Sequence, residues 1–491
     1  MALDPRTPVI VGVAQHTQRP ENPADALEAV ALMELVITNA INGSRGTSLS
    51  SKFDYIGVIQ GAWRYSDPAR LLAEKLGSPQ ARTGLSSNGG NSPQSYINAL
   101  CSRIGAGQMD AAVVVGAETI WSRRRQRRSG LNISVTNQAP TEPDERFGSD
   151  VAMINDFEQS RGIEAPVHFY PLFESALRAA RGETLDEHRD RVANLWERFN
   201  QVAVKNQYSW VRSPMSAGEI RNPSPTNRMV GFPYTKAMNS NWDLDQAAAV
   251  VVCSVQAAQA AGIDRDQWIF PWAGTEAHDT PAVSNRRDLH SSPAIGIAGK
   301  RLFELTGLGP DDLDHVDLYS CFPSAVQVAA AELGLGEDRQ LTQTGGLTFA
   351  GGPLNNYVTH SIAAMTETLR ADGSATGLVT ANGGFLTKHA LGIYSTEPPP
   401  VMFQSQSVQQ EVDQIPSTEL DHTYSGTTTI EAYTVMHNSD GPEKGLCALR
   451  TPNGARTWGA VTSDSDIADM LKAEAIGTTA ELAPSGDLTL A

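Results

Sequence analysis

The chain reads as an α/β protein of two similar halves followed by a small antiparallel β domain. Three observations predict this. Short β-branched runs alternate with Ala-rich helical stretches up to about residue 395, the pattern of a mostly parallel sheet buried under helices. Segments of the first half recur in the same order in the second, as an internal duplication would produce. Beyond Thr396-Glu-Pro-Pro-Pro400, a linker by composition, strand-like runs alternate with turn residues, which suits a small β-barrel.

Taken in order, Val9–Ala14 is an unbroken apolar run and predicts a buried strand, and Ala24–Asn42 predicts a helix. Tyr55–Ile59 predicts a second strand. Asn88-Gly-Gly-Asn-Ser-Pro is a glycine turn before an amphipathic helix from about Ser92 to Gly105, and Ala111–Val115 is again a buried strand. Residues about 119–240 interrupt the alternation with a basic run, polar loops and an Arg/Glu-rich helix at Ala176–Gln201. Insertions of this kind build ligand-covering loops in α/β enzymes. Strands then follow at Ala248–Cys253, Trp268–Trp272, His315–Tyr319 and Gly377–Ala381. Helices lie between them at Ser254–Ala261, Ser292–Thr306, Pro323–Leu333 and Ile362–Arg370. Phe53-Asp-Tyr-Ile-Gly-Val-Ile-Gln60 echoes Leu313-Asp-His-Val-Asp-Leu-Tyr-Ser320, and the helix–strand unit ending at Glu118 echoes His360 through Gly384. The units are therefore 1–255, 256–395 and 401–491. The last holds candidate strands at Gly426–Met436, Gly445–Arg450, Arg456–Thr462 and Thr478–Leu482.

A length of 491 residues exceeds one ordinary domain. A net charge of −17 repels nucleic acid and anionic membranes alike. No apolar run reaches the ~18 residues of a membrane span, and no signal-peptide pattern precedes Val9. Cys101, Cys253, Cys321 and Cys447 are far apart and show no CxxC spacing. That suits a reducing, cytoplasmic setting and argues against zinc or any other metal centre. Without secretion, Asn132-Ile-Ser134 carries no glycosylation meaning.

The tail Ala106-Gly107 through Asp110 to Gly116 and Glu118, the run Asn239-Ser-Asn-Trp-Asp-Leu-Asp-Gln246 before a strand, Val316-Asp-Leu-Tyr-Ser-Cys-Phe322, Gly345-Gly-Leu-Thr-Phe-Ala-Gly-Gly-Pro353 and Leu378-Val-Thr-Ala-Asn-Gly-Gly384 occur in this order. Together they resemble the thiolase superfamily. Cys321-Phe322 is similar to the H-D-C-F motif of the sterol-carrier-type branch. The resemblance covers about four fifths of the chain and implies two similar five-stranded mixed sheets layered with helices. It implies an acetyl-CoA acetyltransferase label, lipid metabolism, and assembly as a dimer or tetramer, which an extra domain could block. The C-terminal segment has no thiolase counterpart.

The same alignment places Gly90 where the family carries its nucleophilic Cys, Tyr319 where an Asn positions water, Gly352 where a His activates the Cys, and Ala381 where a second Cys acts as acid and base. Members of such a set cooperate, so their joint loss removes the standard reaction. The sequence thus implies a protein that binds coenzyme A or an acyl-CoA without thiolase turnover and needs no cofactor. Two other readings stay open: an acyltransferase using displaced groups, and a scaffold or regulatory partner of another enzyme.

Displaced candidates are Cys321, His360 and His389. Cys321 beside Phe could be a nucleophile or a small buried residue. His360 opens a predicted helix and could cap it. Lys388 and His389 follow a glycine turn and could bind a phosphate or carbonyl, or be solvated. Arg123, Arg124 and Arg125 lie in the densest basic run and could hold coenzyme A phosphates, or be a solvated patch. Asn241 and Asn382 complete the ligand-binding candidates.

Overall fold

The computed structural model describes residues 3–46, 49, 52–131, 135–373 and 375–491. The Asn132-Ile-Ser134 tripeptide and Ser374 of the second-half echo lie outside them. The first sheet contains β1 (Pro8–Thr17), β2 (Tyr55–Val58), β3 (Arg82–Ser86), β4 (Ala111–Thr119) and β5 (Glu145–Phe147). It is completed, after a short hairpin of β6 (Met229–Gly231) and β7 (Tyr234–Thr235), by β8 (Asp245–Ser254). Its spatial order is β1-β8-β4-β2-β3-β5. The second sheet holds β9 (Phe270–His278), β10 (His315–Asp317), β11 (Thr376–Gly383), β12 (Lys388–Ser395) and β13 (Gln404–Ser407), in the order β10-β11-β12-β9-β13.

The two sheets repeat one strand plan. In the first, β2 runs parallel to β4, and β8 lies antiparallel to both β4 and β1. In the second, β10 runs parallel to β11, and β12 lies antiparallel to both β11 and β9. Both sheets are mixed, so the mostly parallel expectation from strand composition is corrected. Strands buried on both faces are apolar throughout whichever way their neighbours run. The helices Ser92–Gly105 and Tyr357–Asp372 are packed against both sheets. They are buried on almost every side, including polar Gln94, Ser95 and Asn98. The expected amphipathic helix is thus an internal one. Its polar side chains pair inside: Tyr394 Oη donates to Gln94 Oε1 at 2.8 Å, and Gln94 Nε2 donates to Asn98 Oδ1 at 2.9 Å.

The expected helix Ala176–Gln201 is two helices, Pro166–Arg181 and Leu185–Lys205. Gly182 breaks them with φ +68°, a left-handed conformation that glycine adopts freely, and Thr184 with Glu187 forms a capping box for the second.

The third sheet is β14 (Gly426–His437), β15 (Pro442–Arg450), β16 (Arg456–Val461), β17 (Thr479–Leu482) and β18 (Leu488–Leu490), in the order β16-β15-β14-β17-β18. All its strand pairs are antiparallel, and a bridge between Ala460 and Asp487 ties its two ends. The units interleave. β13 pairs with β9, so the second core sheet extends to Ser407, and β6 of the insertion joins β14 at Gly231–Met436. The third sheet docks through buried polar anchors. Arg456, fully buried, donates to the carbonyls of Val283, Ser284 and Arg286 at 2.6–3.2 Å and pairs with Glu431 at 2.7 Å. Trp458 Nε1 donates to Ser284 Oγ at 2.7 Å. Among the described residues, no helix is long and apolar enough to cross a membrane, and no group of three or more His, Cys, Asp or Glu is placed to hold a metal ion.

Candidate functional site

The glycine turn before the Ser92–Gly105 helix faces the ends of β10 and β11. A β-carbon on Gly90 would lie 2.5 Å from the Asn382 carbonyl oxygen and 2.9 Å from Tyr319 Cζ, with the Tyr319 hydroxyl closer still. The ring of Tyr319 therefore occupies the space a side chain at position 90 would need. Tyr319 is held there by its amide, which donates to Thr380 Oγ1 at 2.9 Å, and by an edge-on contact with Tyr357. Ala381 is buried in β11 opposite Ala390 of β12. Gly352 donates its amide to the Asn241 carbonyl at 2.8 Å, and Asn241 donates its own to Leu347 at 3.0 Å. The Gly352 amide is thereby engaged within the chain. The two glycine loops meet where Gly89 N donates to Asn355 Oδ1 at 3.1 Å.

Cys321 is buried beside Asn382 and Tyr170. Asn382 Nδ2 donates to Tyr170 Oη at 2.9 Å and lies 3.9 Å from Cys321 Sγ. Burial pushes the Cys321 thiol up to about 12, only partly opposed by the Tyr170 hydroxyl, so the sulfur carries its proton at neutral pH. His389 does not hydrogen-bond to it. His389 Nε2 sits 3.4 Å from Asp279 Oδ2 and 3.3 Å from Ser292 Oγ, which caps the Pro293–Thr306 helix. Burial pushes Asp279 up, but the His389 contact and the Arg286 guanidinium outweigh it and hold its carboxyl below the usual range. Asp279 and Ser292 carried no signal in the sequence because their meeting with His389 is made by three separate elements. His360 lies within the first turns of the Tyr357–Asp372 helix rather than at its start. It does not cap that helix; its Nδ1 is 3.0 Å from Gln15 Oε1.

The basic candidates divide. Arg123 donates to the Ala62 carbonyl, Arg124 pairs with Asp243, and Arg125 donates to the Pro20 and Glu21 carbonyls at 2.7 Å while stacking on Trp121. These three fasten the Ile120–Arg128 helix to the core. Lys388 is different. It is 7% exposed, its Nζ donates to the Asn88 and Ser149 carbonyls at 3.0 and 2.9 Å, and among the described residues it forms no ion pair. Burial lowers its pKa, with Asp150 opposing. Lys388 and His389 line a cavity of 340 Å³ shared with Asn91, Ser92 and Ser95 of the helix start and with Glu276 of β9. Burial raises the Glu276 carboxyl. Asn91 Oδ1 is buried without a partner. The positive end of the Ser92–Gly105 helix and an ammonium without an ion-pair partner suit this end of the cavity to an anionic or carbonyl-bearing group, while the unmet Asn91 oxygen calls for a donor.

Residues 407–487 match the sequence profile of the thiolase-like protein type 1 additional C-terminal domain. The whole chain superposes on the crystal structure of a monomeric sterol-carrier-protein-2-thiolase-like protein type 1 from Mycobacterium smegmatis. The TM-score is 0.86 at 28% identity, with 100% of each chain covered. The chain is thus similar over its whole length to a thiolase-like protein of type 1 and shares that type's additional C-terminal domain. Over 154 residues it is 25% identical to an acetyl-CoA acetyltransferase of Methanocaldococcus jannaschii, covering 31% of this chain and 36% of that one. Over 183 residues it is 24% identical to sterol carrier protein 2 of Rattus norvegicus, covering 35% and 32%. The matched segments span about a third of the length of these curated relatives. The fold and these similarities agree with the resemblance carried by the five ordered motifs.

Proposed function

We propose that this thiolase-like protein binds coenzyme A or an acyl-CoA thioester without thiolase turnover. The observation that supports this most is the Tyr319 ring and Asn382 carbonyl filling the side-chain space of position 90. A thiolate nucleophile needs that space, and thiolase chemistry needs a thiolate there. Cys321, the candidate thiol beside Asn382, is held protonated by burial, and His389 is hydrogen-bonded elsewhere. The 340 Å³ cavity beside the Gly90 turn would take the ligand's carbonyl or a phosphate against Lys388 and the helix N-terminus. The arginines at 123–125 have intramolecular partners, so this reading gives Lys388 the larger share of anion binding.

Isothermal titration with coenzyme A and acetoacetyl-CoA tests the reading. Binding should weaken in Lys388→Met, and no acetoacetyl-CoA cleavage should accompany it. Absence of heat from the intact protein, or measurable thiolysis, overturns it. The acyltransferase alternative is separated by mass spectrometry after incubation with acyl-CoA. An adduct present in the wild type and lost in Cys321→Ala would favour that alternative.

A further inference from the structure

One side chain on the wall of the 340 Å³ cavity combines burial with a strong nucleophilic atom. Lys388 is 7% exposed. Its Nζ donates to the Asn88 carbonyl at 3.0 Å and to the Ser149 carbonyl at 2.9 Å. An ammonium has three such positions, and among the described residues the third meets no acceptor. When the third proton is lost, both hydrogen bonds stay in place. The lone pair then takes the vacated corner of the tetrahedron, turned away from both carbonyls. Burial lowers the Lys388 pKa, with Asp150 opposing. The neutral amine is therefore reached at a lower pH than on an exposed lysine.

The other groups around the cavity are poorer nucleophiles. Cys321 is not among the residues that line it. Ser87, Ser92, Ser95, Ser149 and Ser407 do line it, but a hydroxyl attacks only with an adjacent base, and Ser92 Oγ donates to the Ser87 carbonyl at 3.2 Å. His389 Nε2 is held at Asp279 and Ser292. Ser92 and Ser95 lie in the first turn of the Ser92–Gly105 helix. The positive end of that helix favours the oxyanion that forms when an amine adds to a carbonyl.

We infer that Lys388 is an acyl acceptor, and that a thioester held in this cavity transfers its acyl group to Nζ. The inference rests on the proposed binding of acyl thioesters here. Nζ adds to the thioester carbon and the C–S bond breaks. The proton that the nitrogen sheds goes to the departing thiolate, so one amide and one thiol replace one amine and one thioester. The reaction happens once per chain and is not thiolase turnover. It also closes the site behind it, because the amide carries no charge and the acyl group fills space beside the Gly90 turn.

Peptide mapping by mass spectrometry tests this on the intact protein at neutral pH. The probes are acetyl-CoA and, separately, S-acetyl-N-acetylcysteamine, a thioester without a nucleotide. Exposed Lys472 gives the uncatalysed rate. Lys388 should be acetylated about tenfold faster than Lys472 or more, although it is the less accessible of the two. The fast phase of thiol release should vanish in Lys388→Arg, which keeps the cation and loses the amine. The mapping itself needs no variant, so it decides the matter even if Lys388→Arg fails to fold. Coenzyme A should bind the acetylated protein as weakly as it binds Lys388→Met. Acetylation of Lys388 no faster than that of Lys472, or a fast phase that survives in Lys388→Arg, overturns the inference. Heat with coenzyme A from a protein whose Lys388 stays unmodified overturns it too and leaves the binding proposal standing. Acetylation of Lys388 by the short thioester, in a protein that gives no heat with coenzyme A, supports it and sinks the binding proposal instead.

Discussion

Replacing Gly90 by alanine puts a β-carbon 2.5 Å from the Asn382 carbonyl and against the hydroxyl of Tyr319. Carbon does not approach oxygen that closely without displacement, so either the β11 backbone or the Tyr319 ring must move. Overpacking of this kind costs about 1–3 kcal/mol. Tyr319→Ala empties the same space and costs about 3–5 kcal/mol, as truncating a large buried aromatic does. The two costs should not add. With the ring gone, the new methyl loses two of its three nearest clashes, keeps the one with the Asn382 carbonyl, and partly refills the cavity. The double variant should therefore be more stable than the sum of the singles by ~0.5–3 kcal/mol, the range seen for residues in contact. Urea unfolding of wild type, both singles and the double measures this coupling. Additivity within about 0.5 kcal/mol would refute the claim that Tyr319 occupies the side-chain space of position 90. The same reasoning makes Gly90→Cys with Gly352→His silent in acetoacetyl-CoA cleavage while Tyr319 stays in place.

Four further outcomes are expected. Glu118 is buried at the end of β4, with Oε1 accepting from Ala62 N at 2.9 Å and Oε2 without a partner, and burial raises it from 4.5 to about 7. Its folded pKa exceeds its unfolded one, so the stability tied to its proton is full below pH 4.5 and is lost as pH rises through about 7. That loss is on the order of 3 kcal/mol, and thermal melts of Glu118→Gln over this window should fall less steeply than wild type; parallel slopes would count against it. Arg456→Ala leaves Glu431 with Arg450 alone, at 2.7 Å, and strips three carbonyls of their donor. It should destabilise by about 1–3 kcal/mol for each carbonyl left unmet, and calorimetry should then show the third sheet melting apart from the core. Glu145 accepts from Arg103 at 2.6 and 2.8 Å and from Tyr55 at 3.0 Å, which fastens β5 over the edge of β3. In Glu145→Ala the amides of Arg82–Ser87 should exchange faster and the exposed edge should promote self-association by size exclusion. All four cysteines are buried, and a thiol reagent at neutral pH should label none of them before unfolding.

The motifs were legible at the level of backbone and order. Glycine turns, the internal helices and the buried strands depend on local periodicity and on residues that tolerate close approach, and these are written in the chain. Two adjacent helices in the insertion were read as one because a single Gly182 inside a helical period carries little weight until its φ is known. β3 was missed because Arg82-Thr-Gly-Leu-Ser86 has neither an apolar run nor strict alternation; only its neighbours β2 and β5 make it a strand. β12 was read as a pair of site residues after a turn because Lys388 and His389 drew notice ahead of the apolar run behind them.

The candidate site was less legible, since its geometry is made by pairs distant in sequence. Gly90 with Tyr319, Lys388 with Asn88, and His389 with Asp279 and Ser292 are contacts between separate elements. The sequence by itself determined the layered α/β halves, the added β domain and the excess of negative charge. Tertiary structure decided that the basic run fastens a helix to the core and that Tyr319 fills the space beside Gly90. The physical reason is one of range. Periodicity and turn chemistry act over a few bonds, whereas burial, ion pairing and the close approach of two side chains depend on which elements the whole fold presses together.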